Sequence, residues 1–416
     1  MKNTQKHILS EKIKSYNKSD YSNILLLALI VIGSLFAVWT FTGQWPWVEQ
    51  PYNSYILQAK AWLDGRLDLG QNYPHLELAI YEGKYFVSFP PFPSMLVFPF
   101  VLLGWNTCDG FLSVVAAVFA AAYSYKIMKH FKIDDNRAVM YSLLTTIGSN
   151  WFFTAQVSWV WFFAQTLAFT FSLMALYYAL KDKLGLSLLF WAFDVGCRPL
   201  QAFYLPVLLY LAYTSYAKEN PNTSLTDIIK KKRTSVIPMA AVALSYMLLN
   251  FARFGNPLEF GHNYLPEFTR AENGQFNLVY VGDNLAKLFR LPKISFKKAW
   301  EYQSFDGFLL MIASPVFFTY IVYTIRSFIR DKDKNDKLLT ILIFAMIALE
   351  LVLTSAHKTM GGAHFGNRYT NDVIPLICLG IASVTHEKKN WEKFNLVLIF
   401  MGVIVNVLGA AGMFIK

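Results

Sequence analysis

Long apolar stretches, separated by short polar segments, dominate the hydrophobic pattern of the chain. The first stretch runs from about residue 24 to 41 without a charged side chain. A membrane-spanning helix needs roughly 20 such residues, so the pattern predicts an all-α polytopic membrane protein with about eleven transmembrane helices. The other predicted spans are 110–126, 138–156, 158–179, 184–197, 199–215, 235–252, 307–325, 338–356, 372–385 and 395–415.

Residues 89–104 are apolar, but they are difficult to place as a span. They begin with Phe-Pro-Pro-Phe-Pro, which leaves too few continuous apolar residues to cross a bilayer. If this stretch stays on the outer face, 24 of the 38 lysine and arginine residues lie on the cytoplasmic side, as the positive-inside rule requires. We therefore expect a re-entrant or interfacial helix at 89–104, a cytoplasmic N-terminus and an outer C-terminus.

The composition supports a membrane protein. Of the residues, 55% are apolar and only 16% are charged, whereas an ordinary soluble domain carries about 25% charged residues. The net charge of +11 comes from cations placed between apolar stretches, so it does not indicate nucleic-acid binding. Residues 1–22 read as a basic cytoplasmic tail rather than a signal peptide, and residues 23–416 as a single transmembrane domain.

Three long loops are predicted on the outer face, at 44–109, 253–306 and 357–371, and they are expected to form the active site. They contain Trp, Tyr, His, Asn and Glu, whereas the cytoplasmic loops are short and basic. The first long loop holds a predicted helix at 55–63 and five carboxylates, one of which could accept a proton from an attacking hydroxyl. These carboxylates are Glu49, Asp64, Asp68, Glu77 and Glu82.

The second and third long loops carry cations and histidines. Arg253 and His262 lie near the start of the second loop. Further along, residues 287–300 mix lysine and arginine with apolar side chains, as in a basic helix on a membrane surface. In the third loop, glycines precede Arg368, whose guanidinium can bind a phosphate in bidentate fashion.

Ionisable residues inside predicted spans are functional candidates, because a charge in the bilayer is costly. Arg198 and Glu350 are of this kind, and Asp194, one helical turn before Arg198, is expected to form a structural pair with it. His357 and His364 lack a cysteine or carboxylate at matching spacing, and the three cysteines show no metal or redox pattern, so a metal site is not indicated.

Several segments of the long loops resemble the GT-C glycosyltransferases, multi-spanning enzymes that take sugars from polyprenyl-phosphate donors. Protein O-mannosyltransferases and aminoarabinose transferases are members of this superfamily. The resemblance extends from about residue 40 to 385 through short motifs and points to a bacterial branch. The matching segments are 59–69, Tyr81-Glu82-Gly83-Lys84-Tyr85, Pro90-Pro91, Arg253-Phe254-Gly255-Asn256-Pro257 and Gly366-Asn367-Arg368-Tyr369.

The resemblance implies a GT-C-like fold and a catalytic Asp or Glu in the first long loop. Glu49 has the expected position soon after the first span, although Gln50 stands where the family carries a second acid. Glu77 stands where relatives carry an Asp, and we place it ahead of Glu49. The residues expected to bind the donor phosphate or substrate are Arg368, Arg198, Arg253, Lys84, His364, Asn367, Tyr369, His262 and Tyr85.

The predicted function is transfer of a sugar from a polyprenyl-phosphate donor to a glycan, lipid or protein acceptor of the cell envelope. The reaction would occur on the outer face of a bacterial-type cytoplasmic membrane, and neither a nucleic acid nor a cofactor is expected; a divalent cation is not indicated by the sequence. A transporter or flippase of a lipid-linked saccharide is the alternative, and a structural subunit of an envelope complex is a third. Transporters often contain internal repeats, and the chain shows no repeated half.

Overall fold

A computed structural model describes residues 18–221, 223–291, 307, 309–330, 334–362, 364–384 and 392–414. The predicted basic tail before residue 18, and residues 292–300 of the predicted basic surface helix, lie outside this set. The longer helices are Lys18–Thr42, Ser54–Leu63, Phe92–Leu102, Cys108–His130, Asp135–Thr145, Val160–Leu180, Leu184–Val195, Leu205–Glu219, Ile237–Phe254, Val316–Arg330, Lys334–Ser355, Ile374–Val384 and Glu392–Phe414. The shorter α-helices are Trp151–Thr154, Leu225–Lys232, Pro266–Thr269, Val281–Leu288 and Leu310–Ala313, and the 3-10 helices are Pro199–Tyr204, Arg233–Val236, His262–Tyr264, Leu278–Tyr280 and Arg368–Val373.

The described part of the chain contains six helices that are long and apolar enough to cross a membrane, and three shorter apolar helices. The protein is therefore a multi-pass membrane protein. The six long helices are Ser19–Thr42, Cys108–His130, Val160–Leu180, Thr226–Phe254, Lys337–Ser355 and Glu392–Phe414, and the shorter ones are Phe92–Leu102, Leu184–Val195 and Val316–Ile329.

The first long helix shows how an apolar helix divides its surface between protein and lipid. Leu27, Val31, Leu35 and Val38 recur every three or four residues, and they are buried against neighbouring helices. The leucines and other large apolar side chains between them are exposed on the opposite face, for example Leu29. An apolar surface of this kind is stable against lipid, so the helix needs no polar face.

The predicted span 138–156 is broken in the structure. It forms the helix Asp135–Thr145, a turn, and the short helix Trp151–Thr154. Near the break, the hydroxyls of Thr146 and Ser149 donate to main-chain carbonyls one turn earlier, at 2.7 and 2.8 Å. Such back-bonding by serine and threonine competes with the helical pattern and bends helices.

Two separate helices lie within 184–215, where two short spans are predicted; that each crosses the membrane stays a prediction. Leu184–Val195 ends before Arg198, whose backbone is extended, and Pro199–Tyr204 then leads as a 3-10 helix into Leu205–Glu219. A proline has no amide hydrogen and disfavours helical geometry in the residue before it, so the break falls at this point. Arg198 is thereby left at a helix junction, where its side chain can turn toward the loops.

The first long loop contains a β-hairpin, so the prediction of an all-α fold is wrong at this point. The strands Leu78–Tyr81 and Lys84–Val87 pair as an antiparallel hairpin. The two connecting residues, Glu82 and Gly83, have φ values of 48° and 73°. Two positive φ angles are typical of a type I′ turn, which matches the twist of paired strands. We refer to residues 78–87 as the hairpin.

A short helix follows the hairpin at Phe92–Leu102, where a re-entrant or interfacial helix is predicted. Its 11 residues are too few to span a bilayer. It packs against the helix Ser54–Leu63, which the sequence also predicts, and the Ser94 hydroxyl donates to Oε1 of Gln58 at 2.6 Å in their interface. These two helices support the hairpin and the residues on either side of it.

Candidate active site

The three long loops meet around a cavity of about 730 Å³. The first loop contributes side chains between residues 52 and 90, the second between 260 and 276, and the third between 357 and 369. The segments 159–164 and 197–200, each at a helix junction, complete much of the wall. A cavity of this volume is in the range that drug-sized ligands occupy, which is about 300–1,000 Å³.

Glu77 lines the cavity from the segment just before the hairpin. The Ser88 hydroxyl donates to the main-chain carbonyl of Glu77 at 2.9 Å, which fixes its backbone. Trp161 Nε1 donates to the Glu77 carboxylate at 2.9 Å. Glu77 is exposed to solvent as a residue, but the side chains around its carboxylate partly desolvate it and raise its pKa, and the bond from Trp161 and the charge of Arg368 partly offset this rise. Glu77 is thus an oriented carboxylate with increased basicity.

Two guanidinium groups converge on one aromatic ring in the cavity wall. The central carbon of the Arg198 guanidinium lies 5.1 Å from the centroid of the Tyr369 ring, and that of Arg368 lies 4.9 Å from it. Arg368 Nε donates to the carbonyl of Gly361 at 3.0 Å. Its Nη1 is buried and has no hydrogen-bond partner among the described residues. Two cations held together in this way can bind a phosphate.

Asp372 holds Arg198 in place, whereas the expected partner was Asp194. Arg198 Nε donates to Asp372 Oδ2 at 3.0 Å, and Nη2 bonds to the same oxygen. Gln165 Nε2 donates both to the other carboxylate oxygen of Asp372 and to the carbonyl of Arg368, at 2.7 Å each. Asp194 instead accepts a bond from a serine hydroxyl on the neighbouring helix. Both bonds of Gln165 thus fix the 3-10 helix Arg368–Val373, and Asp372 links that helix to Arg198.

Asn150, at the break of the predicted span, positions the loop segment in front of Arg368. Its Nδ2 donates to the carbonyl of Phe365 at 3.2 Å and to Oδ1 of Asn406 at 3.1 Å, while its Oδ1 accepts from the main-chain N–H of Asn367 at 3.1 Å. The intervening Gly366 has φ +69°, and a Cβ there would lie 2.3 Å from Asn150 Nδ2. A glycine is therefore required for this contact.

Two histidines in the cavity wall are neutral at pH 7. Burial lowers the pKa of both His262 and His357 to about 4. His262 Nδ1 contacts the carbonyl of Ser88 at 3.2 Å, and His357 Nδ1 contacts that of Thr359 at 2.8 Å. Because a carbonyl can only accept, Nδ1 of His262 carries the proton and its Nε2 is left as an acceptor. Nδ1 of His357 also lies 3.2 Å from the main-chain N–H of Thr359, so its two neighbours, a donor and an acceptor, are compatible with either tautomer.

The predicted site residues divide into two groups by their position. Those that line the cavity are Glu77, Arg198, His262, Arg368 and Tyr369. Those outside its wall are Glu49, Lys84, Tyr85, Arg253, His364 and Asn367. Glu49 is exposed, and its carboxylate accepts a bond from Asn53 at 3.0 Å. Lys84 is exposed beside the hairpin turn, whereas His364 and Asn367 are buried in the segment before Arg368.

Arg253 is buried against the hairpin rather than in the cavity wall. Its Nη1 donates to the carbonyl of Val87 at 3.2 Å, and its Nη2 to Oδ1 of Asn250 at 2.8 Å. Its guanidinium also lies over the ring of Phe254, 4.9 Å from the centroid. These contacts join the hairpin to the end of the helix Ile237–Phe254, so Arg253 has a structural position.

Four residues that matter to this geometry were not among the predicted ligands or bases. Asp372 and Asn150 anchor the arginine segments, Trp161 orients Glu77, and Glu267 places a second carboxylate in the cavity wall. The sequence marks Asp372 only as a polar residue at the edge of a predicted span, and Asn150 only as a polar residue inside one. No group of three His, Cys, Asp or Glu side chains converges as a metal site within the described residues.

The fold is similar to that of a solved membrane glycosyltransferase. The crystal structure of the oligosaccharyltransferase from Archaeoglobus fulgidus in the apo form aligns with a TM-score of 0.52 at 11% sequence identity, over 96% of this chain and 56% of that one. The complex of the oligosaccharyltransferase AglB from the same organism with an inhibitory peptide and a dolichol-phosphate aligns with a TM-score of 0.46 at 12% identity, over 94% and 55% of the two chains.

The chain spans a little more than half the length of these oligosaccharyltransferases. No protein-family model and no curated protein sequence matches it. At such low sequence identity the structural likeness concerns the fold alone.

Proposed function

We propose that the protein is a GT-C-type glycosyltransferase that moves a sugar from a polyprenyl-phosphate donor to a hydroxyl or other nucleophile on an envelope glycan, lipid or protein. The observation that carries the proposal is the placement of an oriented carboxylate, Glu77, and two guanidiniums, Arg198 and Arg368, in the wall of one cavity. The fold likeness to an archaeal oligosaccharyltransferase supports the same class of chemistry.

The proposed reaction uses these groups in separate roles. Glu77 accepts the proton of the acceptor hydroxyl as the acceptor oxygen forms a bond to the anomeric carbon. The bond between that carbon and the phosphate oxygen breaks, and the departing polyprenyl phosphate gains negative charge. Arg198 and Arg368 stabilise this charge, which develops in the transition state. The increased basicity of Glu77 suits it to accept the proton.

The proposal includes a membrane topology of about eleven spans with the cavity on the outer face of a bacterial-type cytoplasmic membrane. A lipid-linked donor carries its phosphate at the headgroup level, so a cavity built from loops at the membrane surface fits this substrate. The distribution of basic residues supports the same orientation.

Labelling with an impermeant maleimide in intact cells tests the orientation. The native cysteines Cys108, Cys197 and Cys378 are buried, so their background labelling should be low. Asn273 is exposed in the second long loop, and Thr226 is exposed in the first turn of the helix Leu225–Lys232, in a basic segment that is expected on the opposite side. We expect the Asn273→Cys variant to be labelled and Thr226→Cys to be protected until the cells are opened. The reverse pattern would contradict the proposed outer site.

Transfer assays test the chemistry. Purified protein in proteoliposomes is incubated with radiolabelled polyprenyl-phosphate hexoses and pentoses and with envelope extracts as acceptors. We expect one donor to lose its sugar to an acceptor at a rate that depends on Glu77. Comparison of metal-free buffer with buffer containing Mg²⁺ or Mn²⁺ shows whether a divalent cation takes part. Absence of transfer with every donor in the panel would contradict the proposal.

A further inference from the structure

An aromatic wall of the cavity is not used by the proposed proton transfer or phosphate binding. It consists of His262, Phe268, Phe276 and His357, and we refer to these four residues as the aromatic platform. All four line the cavity. The ring centroids of His262 and Phe268 are 5.1 Å apart, those of Phe268 and His357 5.2 Å, and those of Phe276 and His357 5.0 Å. The planes of neighbouring rings are inclined at 46°, 81° and 75° in the same order, so the rings pack edge to face and form a contiguous but not a flat aromatic wall.

Main-chain bonds between the second and third long loops hold the platform together. Phe276 and His357 pair as an antiparallel bridge. The N–H of Asn277 donates to the carbonyl of Ala356, and that of Lys358 to the carbonyl of Gln275, at 2.8 Å each. Because backbone pairing, rather than side-chain packing alone, sets the distance between the loops, the platform is built before a ligand binds.

Polar groups at the platform suit hydroxyl groups rather than a second phosphate. The imidazole of His262 offers Nε2 as an acceptor, and Nε2 of His357 can donate or accept according to its tautomer. Asn263, Glu267 and Gln275 line the cavity beside them and can also bond to hydroxyls. Aromatic faces combined with planar polar side chains recognise a sugar ring, whose C–H faces are apolar and whose hydroxyls point outward.

The platform adjoins the two guanidiniums through a shared neighbour. The ring of His357 meets the ring of Tyr369 edge-on, with centroids 6.2 Å apart. Tyr369 is the ring on which Arg198 and Arg368 converge. In a glycosyl phosphate the sugar is one oxygen away from the phosphorus, so a phosphate bound by these arginines would bring its own sugar to the platform.

We propose that the aromatic platform binds the sugar ring of the donor, with the exposed ring of Phe276 against its face and His357, which is inclined at 75° to Phe276, at its edge. The inference rests on the proposed function, because it assumes that the phosphate of the same donor is bound by Arg198 and Arg368. The second and third long loops would then recognise the transferred sugar. The acceptor would bind on the other side of the cavity, beside Glu77 and Trp161.

Phe276 offers the sharpest test, because it is 51% exposed and its loss should not disturb the fold. Protein in nanodiscs is titrated with polyprenyl phosphate and with its glucosyl, mannosyl and arabinosyl derivatives. The measured quantity is the ratio of the Kd for polyprenyl phosphate to the Kd for the tightest-binding glycosylated lipid. We expect a ratio above one in the wild type, a fall of about 3- to 10-fold in Phe276→Ala, and recovery in Phe276→Tyr, which keeps the ring.

Phe289→Ala is the matched control, since Phe289 is 59% exposed in the same loop but does not line the cavity. Its ratio should equal that of the wild type. An unchanged ratio in Phe276→Ala, or a change confined to the KM for the acceptor, would overturn the platform assignment and leave the proposed function standing. If the wild type bound none of these lipids, the proposed function would fail and the assignment with it.

Discussion

Arg368 and Arg253 are equally buried, each with 4% exposure, but they lie in regions with different architecture. Both terminal nitrogens of Arg253 are bonded to the hairpin and the helix beside it. Arg368 instead lines the cavity, and its terminal Nη1 has no hydrogen-bond partner within the described part of the chain. Neither burial nor an unpartnered donor separates the two arginines, because Nε of Arg253 also lacks a hydrogen-bond partner within the described residues; the difference is that Arg368 lines the cavity and Arg253 does not.

The same contrast applies to the two acids of the first long loop. Glu77 is held in the cavity wall by Trp161, and partial desolvation raises the pKa of its carboxylate. Both acids are exposed to solvent, but Glu49 lies outside the cavity wall and accepts a bond from its neighbour Asn53. Substitutions in the cavity region should therefore change turnover, and matched substitutions outside it should change stability or nothing.

The largest effect is expected for Glu77→Gln, which keeps the size of the side chain and its bond from Trp161 but removes the basic oxygen. General-base catalysis contributes roughly 10²–10⁴ in rate, so kcat should fall by at least about 100-fold while the Kd for the donor is retained. Glu49→Gln is the matched control and should transfer sugar at the wild-type rate. Equal losses in both variants would break the distinction between the two acids.

Arg368→Lys should have the next largest effect. The charge remains, but the planar fork is lost, and a lysine cannot reproduce both the bond to Gly361 and a contact to phosphate. Loss of a charge-assisted hydrogen bond predicts a rise in the Kd for the donor of about 10- to 100-fold. Titration with polyprenyl phosphate measures it. Wild-type affinity in the lysine variant would show that the fork is not used.

Trp161→Phe should change the pH dependence of transfer. Glu77 must be ionised to act as a base, and its pKa is raised by partial desolvation and partly lowered by the Trp161 N–H. Without that N–H the pKa of Glu77 rises further. The fall in activity on the acidic side of the pH profile, which we call the acid limb, should therefore move to higher pH. Rates measured from pH 4 to 8 check the shift of this acid limb.

Trp159→Phe provides the control for the pH profile. Its indole N–H donates to Gln50 at 3.2 Å rather than to Glu77. The acid limb should stay at the wild-type position in this variant. A shift of the same size in both variants would mean that general loosening of the aromatic wall, and not the bond to Glu77, moves the profile.

The smallest effect on turnover is expected for Arg253→Lys. The substitution breaks the fixed bonds to Val87 and Asn250, and a typical buried hydrogen bond contributes about 0.5–1.5 kcal/mol, or more when charged. We expect a lower Tm in detergent with an unchanged kcat per folded molecule. A fall in donor affinity without a change in Tm would place Arg253 in the binding region and contradict the comparison.

The sequence predicted a mostly helical, multi-pass chain, because hydrophobicity and helix length are local properties, whereas the number of about eleven spans stays a prediction beside the six long and three shorter apolar helices of the described residues. Glu77 and Arg368 could also be found, since an acid in a long loop and an arginine after glycines are recognisable in one stretch of sequence. Asp372 and Asn150 could not, because their roles depend on Arg198 and on the loop before Arg368, which only folding brings near them. The hairpin was missed because its strands have four residues each.

The central claim is that the cavity breaks the bond between sugar and phosphate, and a doubly labelled donor tests it most directly. Polyprenyl-phosphate sugar carrying tritium in the sugar and radioactive phosphorus in the phosphate is added to proteoliposomes with acceptor. In the wild type we expect tritium to pass to the acceptor while the phosphorus label remains in polyprenyl phosphate. In the Glu77→Gln variant the two labels should stay together. Movement of both labels across the membrane as one molecule, with no separation in the wild type, would contradict the account and favour a transporter.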